Sequence, residues 1–270
     1  MVCKIGIIGN GFVGNAMHQG FKECFSVEVY DIDASKRTKN SLEELVEFAD
    51  IIFVCVPTPM TNEGDCDISI VENVICDIAA IDTSKIVVIK STVLPGTTKQ
   101  LAEKTGMKIG FNPEFLTEAN SVKDFANQES IIIGADDLIV NETLSYIYYT
   151  FMNNNALQCH INSTGTKEAE MFKYMANCFL ATKVIFANEI AKLCDKAGIE
   201  YNSIMRLAKL DKRLGSTHWQ VPGPNGKFGY GGSCFPKDMN ALVNYSEKFD
   251  VELWQVLTAI HSNKEIREEG

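Results

Sequence analysis

Six residues near the start of the chain, Gly9-Asn10-Gly11-Phe12-Val13-Gly14, constrain the fold more than any other feature. They follow an apolar run at 4–9 and open a helical pattern at 12–25. A strand that passes through G-x-G-x-x-G into a helix is the opening of a dinucleotide-binding βαβ unit. Gly9 permits the tight turn, Gly11 lets the backbone approach a pyrophosphate, and Gly14 lets helix and strand pack closely. The helix start, with Phe12 and Val13, supplies free N–H groups and a dipole for the anion. Asp31 closes the second apolar run, about 20 residues after the turn, where a carboxylate accepts from ribose hydroxyls. Its charge repels a 2′-phosphate, so NAD is expected over NADP, although Lys36 and Arg37 nearby weaken that preference.

The rest of the first half repeats this alternation. Strands are expected at 4–9, 27–31, 51–56, 86–90, 108–111, 131–134 and 157–161, and helices at 12–25, 42–48, 69–80 and 137–152. The runs are rich in Ile and Val and mostly lack polar alternation, as in strands covered on both faces. The fold class is therefore α/β: a doubly wound Rossmann domain over 1–161, then a helical domain over 162–270. The second domain opens with one helix from Ser163 to about Lys196, with Ser163, Thr164 and Thr166 as cap candidates and Gly198 as the stop. Some ~30 residues at ~1.5 Å each make a rod of ~45 Å, a connecting or dimer-forming spine. More helix is expected at 204–210, 237–248 and 253–266, around a Gly- and Pro-rich loop at 215–232 whose length marks it as functional.

Composition narrows the classes. A net charge of −10 argues against a nucleic-acid surface. No stretch approaches the ~20 apolar residues of a membrane span. Nine cysteines at irregular spacing, without C-x-x-C, read as reduced thiols in a cytoplasmic protein, most of them small buried hydrophobes. The four histidines are scattered, and no metal site is expected.

The most informative segment is Phe228-Gly229-Tyr230-Gly231-Gly232-Ser233-Cys234-Phe235-Pro236-Lys237-Asp238. Glycines allow close backbone approach around one thiol, and Pro236 pre-sets a helix start. A thiol just before a helix N-terminus, with Lys237 adjacent, is expected to favour the nucleophilic thiolate. Lys173 and Asn177 are four apart and share a helix face, with Glu170 beside them. Phe172, Met175, Phe179 and Leu180 are expected to shield them, leaving a partly buried lysine with a lowered pKa. Segments with Pro57-Thr58, Lys90-Ser91-Thr92 and Asn112-Pro113-Glu114-Phe115-Leu116-Thr117-Glu118 each follow a strand, so they fall at the ligand-binding edge of the sheet.

Together these motifs resemble the UDP-glucose/GDP-mannose 6-dehydrogenase family. The resemblance runs through the chain and is most specific at 229–238. It implies NAD as cofactor, a nucleotide sugar as substrate (UDP-glucose first), and four-electron oxidation of a CH2OH to a carboxylate. Cys234 would carry a thiohemiacetal and then a thioester. Lys173 would act at the reacting oxygen, Thr92 and Asp238 would hold the water, Glu118 would assist hydrolysis, and Asn177 would contact substrate. Gly9, Gly11, Phe12, Val13, Gly14, Asp31, Lys36, Pro57, Thr58, Thr92, Glu118 and Lys237 would hold the cofactor. Phe115, Leu116, Glu118, Lys173, Asn177, Arg213, Phe228 and Gly231 would hold the sugar. The resemblance implies a homodimer or higher oligomer on the long helix, with Arg213 reaching the neighbouring site. Thr117 departs from the arginine of many relatives. Relatives continue into a third, nucleotide-gripping domain, so ending at Gly270 reads as a short form, a fragment, or a chain completed by a partner.

Two other readings compete. A two-electron β-hydroxyacid dehydrogenase shares the Rossmann domain and long Lys–Asn helix but needs no thiol, so the Cys234 segment counts against it. A non-catalytic NAD-binding module would bind NAD without turning over any nucleotide sugar.

Overall fold

A computed structural model describes residues 3–269; Met1, Val2 and Gly270, which fall in the two expected domains, lie outside the described residues. Seven strands form one sheet: β1 (Lys4–Ile8), β2 (Ser26–Tyr30), β3 (Ile51–Val54), β4 (Ile86–Ile89), β5 (Lys108–Phe111), β6 (Ser130–Gly134) and β7 (His160–Thr164). Their order is β2-β1-β3-β4-β5-β6-β7. Pairing is parallel from β2 through β5, antiparallel between β5 and β6, and parallel again between β6 and β7. The chain leaves β1 for β2 on one side and returns to β3 on the other. The carboxyl ends of β1 and β3 therefore flank the crevice where such sheets bind ligands.

The apolar runs of β1, β3 and β4 lack polar alternation because these central strands feed two cores. Ile5, Ile7, Ile51, Phe53 and Val88 pack on one face with Met17 and Phe21 of α1 (Phe12–Phe21) and with Leu144, Ile147 and Phe151 of α6 (Leu138–Asn155). Ile8, Ile52, Val54, Val87 and Ile89 pack on the other with Leu45 of α2 (Leu42–Phe48), Val71 and Ile75 of α3 (Ser69–Ile81) and Leu101 of α4 (Thr97–Thr105). Phe21 is the hub of the first layer, its ring 5.2–6.0 Å from those of Phe25, Phe53, Phe125, Tyr148 and Phe151. Phe21→Ala should cost about 3–5 kcal/mol, because five rings cannot close over the void. A thermal melt should show a fall of roughly 6–20 °C; a fall under about 2 °C would show that the layer repacks.

Two helices have no counterpart in the sequence expectation, α4 and α5 (Ser121–Ala126). The last strand is also displaced: β7 covers His160–Thr164, not 157–161, because its register with β6 continues to Gly134↔Thr164. Ser163 and Thr164 are thus strand residues. The long helix α7 (Thr166–Ala197) is capped from elsewhere: Asp136, after β6, accepts from the Thr166 main-chain N–H at 3.1 Å and its hydroxyl at 2.6 Å.

By contacts the chain divides into two compact units, Met1–Pro59 with Asp67–Lys173, and Met60–Cys66 with Tyr174–Gly270. The division falls inside α7 rather than at its start. The second unit holds the rest of α7, α8 (Tyr201–Leu210), α9 (Cys234–Glu247) and α10 (Trp254–Glu269). Within it the short 60–66 segment is tied to α9, where Asn244 donates to the Glu63 carbonyl and the Asp65 carboxylate at 3.0 and 3.1 Å. Among the described residues, no helix is long and apolar enough to cross a membrane.

Candidate active site

In the first unit, the turn after β1 leaves no room for side chains except at one point. Gly9 has φ of +89°, and a Cβ there would lie 2.8 Å from the Cys55 carbonyl oxygen. A Cβ on Gly14 would lie 1.9 Å from the Gly9 oxygen. Beside Gly11, by contrast, there is nothing within 4 Å. Gly11 is also the N-cap of α1, which has neither a side-chain cap nor an acidic residue in its first turn. The first N–H groups of α1, with Phe12 and Val13, thus face an open approach, and the residues present fit a diphosphate there.

Asp31 is tied to this turn. Its Oδ2 accepts from the Asn10 main chain at 2.6 Å and its Oδ1 from that of Asp33 at 2.8 Å. Each oxygen keeps a further lone pair for a ribose hydroxyl. Lys36 ends a short 3₁₀ turn; its carbonyl accepts from Asn10 Nδ2 at 2.5 Å and its ammonium lies 3.7 Å from Asp33. Ile32, beside Asp31, is 93% exposed, an apolar surface on which a purine could lie. The sequence reading missed Ile32, and a hydrophobe directly after the strand-ending acid was its available signal. After β3 come Pro57, exposed, and Thr58, half-buried. The next loop is fastened to this segment, since Ser91 donates to the Val56 carbonyl at 2.6 Å and so holds half-buried Thr92 nearby in the chain.

Lys173 is 3% exposed. Its ammonium lies 3.0 Å from Glu114 Oε1, also donates to the Glu114 main-chain oxygen, and stands 5.0 Å over the Phe115 ring. Phe115 in turn meets Phe172 at 5.8 Å. Glu114 Oε2 accepts from the Leu116 main chain at 2.7 Å. The sequence placed Glu114 at the ligand-binding edge of the sheet and did not pair it with Lys173. Glu118 is exposed at the start of a 3₁₀ turn, and Thr117 is bonded to Asp124 through both its N–H and its hydroxyl. The expected shield of Lys173 is corrected: Met175 and Phe179 are 54% and 66% exposed, since residues two and six along a helix point away. Glu170 is fully buried and joins α7 to α4, accepting from the main chains of Gly96 and Thr98 at 2.5 and 2.8 Å and from the Thr98 hydroxyl at 2.6 Å.

The second unit carries the thiol. Cys234 is the first residue of α9 and the exposed one of the nine cysteines. Burial pushes the thiols of Cys55 and Cys178 up to about 12 and that of Cys3 to about 11, so these stay protonated at neutral pH. One turn along α9, Asp238 is 1% exposed. Its Oδ1 accepts from Lys237 at 2.7 Å and its Oδ2 from Asn177 at 2.6 Å. The glycine loop before the thiol is clamped: Asn188 accepts from the Gly229 N–H at 3.0 Å, Asn263 from the Tyr230 N–H at 2.8 Å, and Arg267 donates to the Tyr230 carbonyl at 3.1 Å. A Cβ on Gly231 would lie 2.8 Å from the Arg267 guanidinium. Nothing in the sequence singled out Asn188, Asn263 or Arg267, because the loop they bind is distant along the chain. Phe228 is 46% exposed, and Arg213, after α8, is exposed and held by both Asp211 oxygens at 3.0 and 2.6 Å.

Residues 35–152 match the NAD binding domain of the UDP-glucose/GDP-mannose dehydrogenase family, and residues 167–265 match its central domain. The chain is 36% identical over 244 residues to a UDP-glucose 6-dehydrogenase of Pseudomonas aeruginosa, covering 86% of this chain and 52% of that one. It is 31% identical over 303 residues to a UDP-glucose 6-dehydrogenase of Bacillus subtilis, covering 97% and 66%. The chain thus spans roughly half to two thirds of the length of these curated relatives. A solved UDP-glucose dehydrogenase from Pyrobaculum islandicum superposes with a TM-score of 0.85 at 28% identity, covering 98% of this chain and 68% of that one.

Proposed function

Since the chain belongs to the UDP-glucose/GDP-mannose dehydrogenase family, we propose that it oxidises the C6 alcohol of a nucleotide sugar, UDP-glucose first, to a carboxylate through covalent attachment to Cys234. The observation that carries the reading is the exposed thiol at the start of α9, backed by the buried Asn177–Asp238–Lys237 network. The Gly9–Gly14 turn and Asp31 would hold NAD, which would supply the acceptor for the two hydrides.

Lys173 stands at the alcohol oxygen and stabilises the charge that develops there. Loss of the first hydride from C6 and the proton from its hydroxyl leaves an aldehyde. The Cys234 sulfur then attacks that carbon, the S–C bond forms as the C=O π bond breaks, and the oxygen takes a proton to become the hydroxyl of a thiohemiacetal. Loss of the second hydride leaves a thioester. Water held by Thr92 and Asp238, with Glu118 assisting, breaks the S–C bond and frees the thiol. Asn177, Phe115, Leu116, Phe228 and Gly231 contact the sugar. One alcohol, one water and two NAD give one carboxylate, two NADH and three protons.

A homodimer completes the reading. Phe172, Phe179, Phe186 and Leu193 of α7 recur every seven residues and are 38%, 66%, 52% and 61% exposed. An apolar heptad seam of that kind is what a second helix covers. Arg213 then serves the neighbouring site. The double change Phe179→Asp/Phe186→Asp should halve the mass found by light scattering; an unchanged mass would rule out this seam.

The function is tested by incubating the chain with NAD and a panel of UDP- and GDP-sugars, following NADH and identifying products by mass spectrometry. Two NADH per acid formed is the expected result. One NADH per substrate would replace the reading with a two-electron dehydrogenase, and NAD affinity without turnover would replace it with a binding module.

A further inference from the structure

Lys90 follows β4 in the first unit, is 4% exposed, and has no part in the steps above. Burying an ammonium is costly unless its donors are met. Its Nζ donates to Asn112 Oδ1 at 2.8 Å and to the Pro113 carbonyl at 3.4 Å. Asn112, 1% exposed, is held from two further directions: its Nδ2 donates to the Ile132 carbonyl at 2.6 Å, and its Oδ1 also accepts from the Tyr148 hydroxyl. Residues 112 and 113 are thus pinned from β4, β6 and α6. The next residue, Glu114, holds Lys173 by both its main-chain oxygen and its carboxylate.

We propose that Lys90 is a positioning residue for Lys173, fixing from behind the Asn112–Pro113–Glu114 turn that sets where the Lys173 ammonium stands. The inference rests on the role given to Lys173 above. It also explains why a buried lysine lies two residues before Thr92 at the carboxyl end of β4: an apolar residue would fill the space but hold neither Asn112 nor Pro113.

The groups facing Lys90 are Cys55 from the segment after β3, Glu114 from the turn, Lys173 from α7 and, through Asn112, Tyr148 from α6. Burial lowers the Lys90 ammonium to about 8; Cys55 and Glu114 oppose this, and Lys173 adds to it. Burial pushes both the Cys55 thiol and the Tyr148 hydroxyl up, so neither titrates in that range. Below about pH 8, Lys90 is charged and its hydrogen bonds are charge-assisted; above it the amine is a weaker donor and the turn loosens. The sign is therefore a kcat that falls as pH rises through about 8, with KM nearly constant.

The test compares the parent with Lys90→Met and with Lys90→Gln, which keeps a donor for Asn112 without a charge and serves if the methionine variant does not fold. Misplacing a reacting group by about 1 Å costs about 100-fold, so kcat should fall by about that factor with KM within about threefold. The descending limb near pH 8 should be absent from both variants. Independently of turnover, the side-chain ¹⁵N signal of Lys173 should shift in either folded variant, measured without substrate. A variant that keeps the parental kcat and pH limb, or an unmoved Lys173 signal, overturns the proposal. A parent chain that oxidises no nucleotide sugar fails the functional reading instead, and the Lys173 signal still decides the positioning.

Discussion

Cys234→Ala should form acid about 10³-fold more slowly than the parent or not at all, a loss of about 4 kcal/mol in transition-state stabilisation. The change touches chemistry and little else. The side chain is exposed at the first position of α9, where a substitution should alter stability by no more than about 0.5 kcal/mol. Buried cysteines should not substitute for it, since burial holds the thiols of Cys55 and Cys178 up at about 12. Cys234→Ser keeps the shape, but a hydroxyl is a weak nucleophile at its own pKa. It should lose the second oxidation while retaining part of the first. Mass spectrometry of quenched parent enzyme should find the sugar acyl group on the peptide containing Cys234. Full product formation by the alanine variant at the parental rate would remove the thiol from the mechanism.

Lys173→Met should lower kcat by about 10²–10³-fold, the cost of removing one donor aimed at a developing oxyanion. This change also harms the fold. It leaves the Glu114 carboxylate, whose side chain is only 11% exposed, without its 3.0 Å partner. Breaking a buried pair from one side costs about 3–5 kcal/mol, whereas removing both charges is often near neutral. Lys173→Met/Glu114→Gln should therefore recover most of the lost stability in urea unfolding while staying as inactive as the single variant. If the double variant recovers activity along with stability, Lys173 is a strut and not a catalytic group.

Local chemistry explains why so much of the first unit was legible. Gly9, with its φ of +89° in the tight turn, and Gly14, against the Gly9 oxygen, answer demands set within a few residues, and Gly11 opens the helix start; the Cys55 carbonyl that also crowds Gly9 comes from far along the chain. The Ile- and Val-rich runs of β1, β3 and β4 could be read as strands because both of their faces are buried. Elements held only by distant partners were not legible. The α4 helix is nine residues long with two threonines at its start, and Glu170, more than seventy positions away, satisfies its first N–H groups. The six-residue α5 has too little propensity to announce itself, and Phe125 anchors it among the rings around Phe21. The end of β7 was misplaced because register with β6, not composition, carries it to Thr164.

The amino-acid order alone determined that this chain makes a dinucleotide-binding sheet followed by a long helix, and that one thiol follows a glycine loop near the start of another helix (which the structure begins at Cys234 itself, not at 237). These follow from short-range sterics and periodicity, which any local segment expresses. Only the tertiary structure decided that Glu114 is the partner of Lys173, that Asp238 lies between Asn177 and Lys237, and that Lys90 stands behind the turn bearing Glu114. Those pairings exist because a buried charge must find an opposite charge or a donor set. Which group supplies it depends on the packing of elements far apart in the chain.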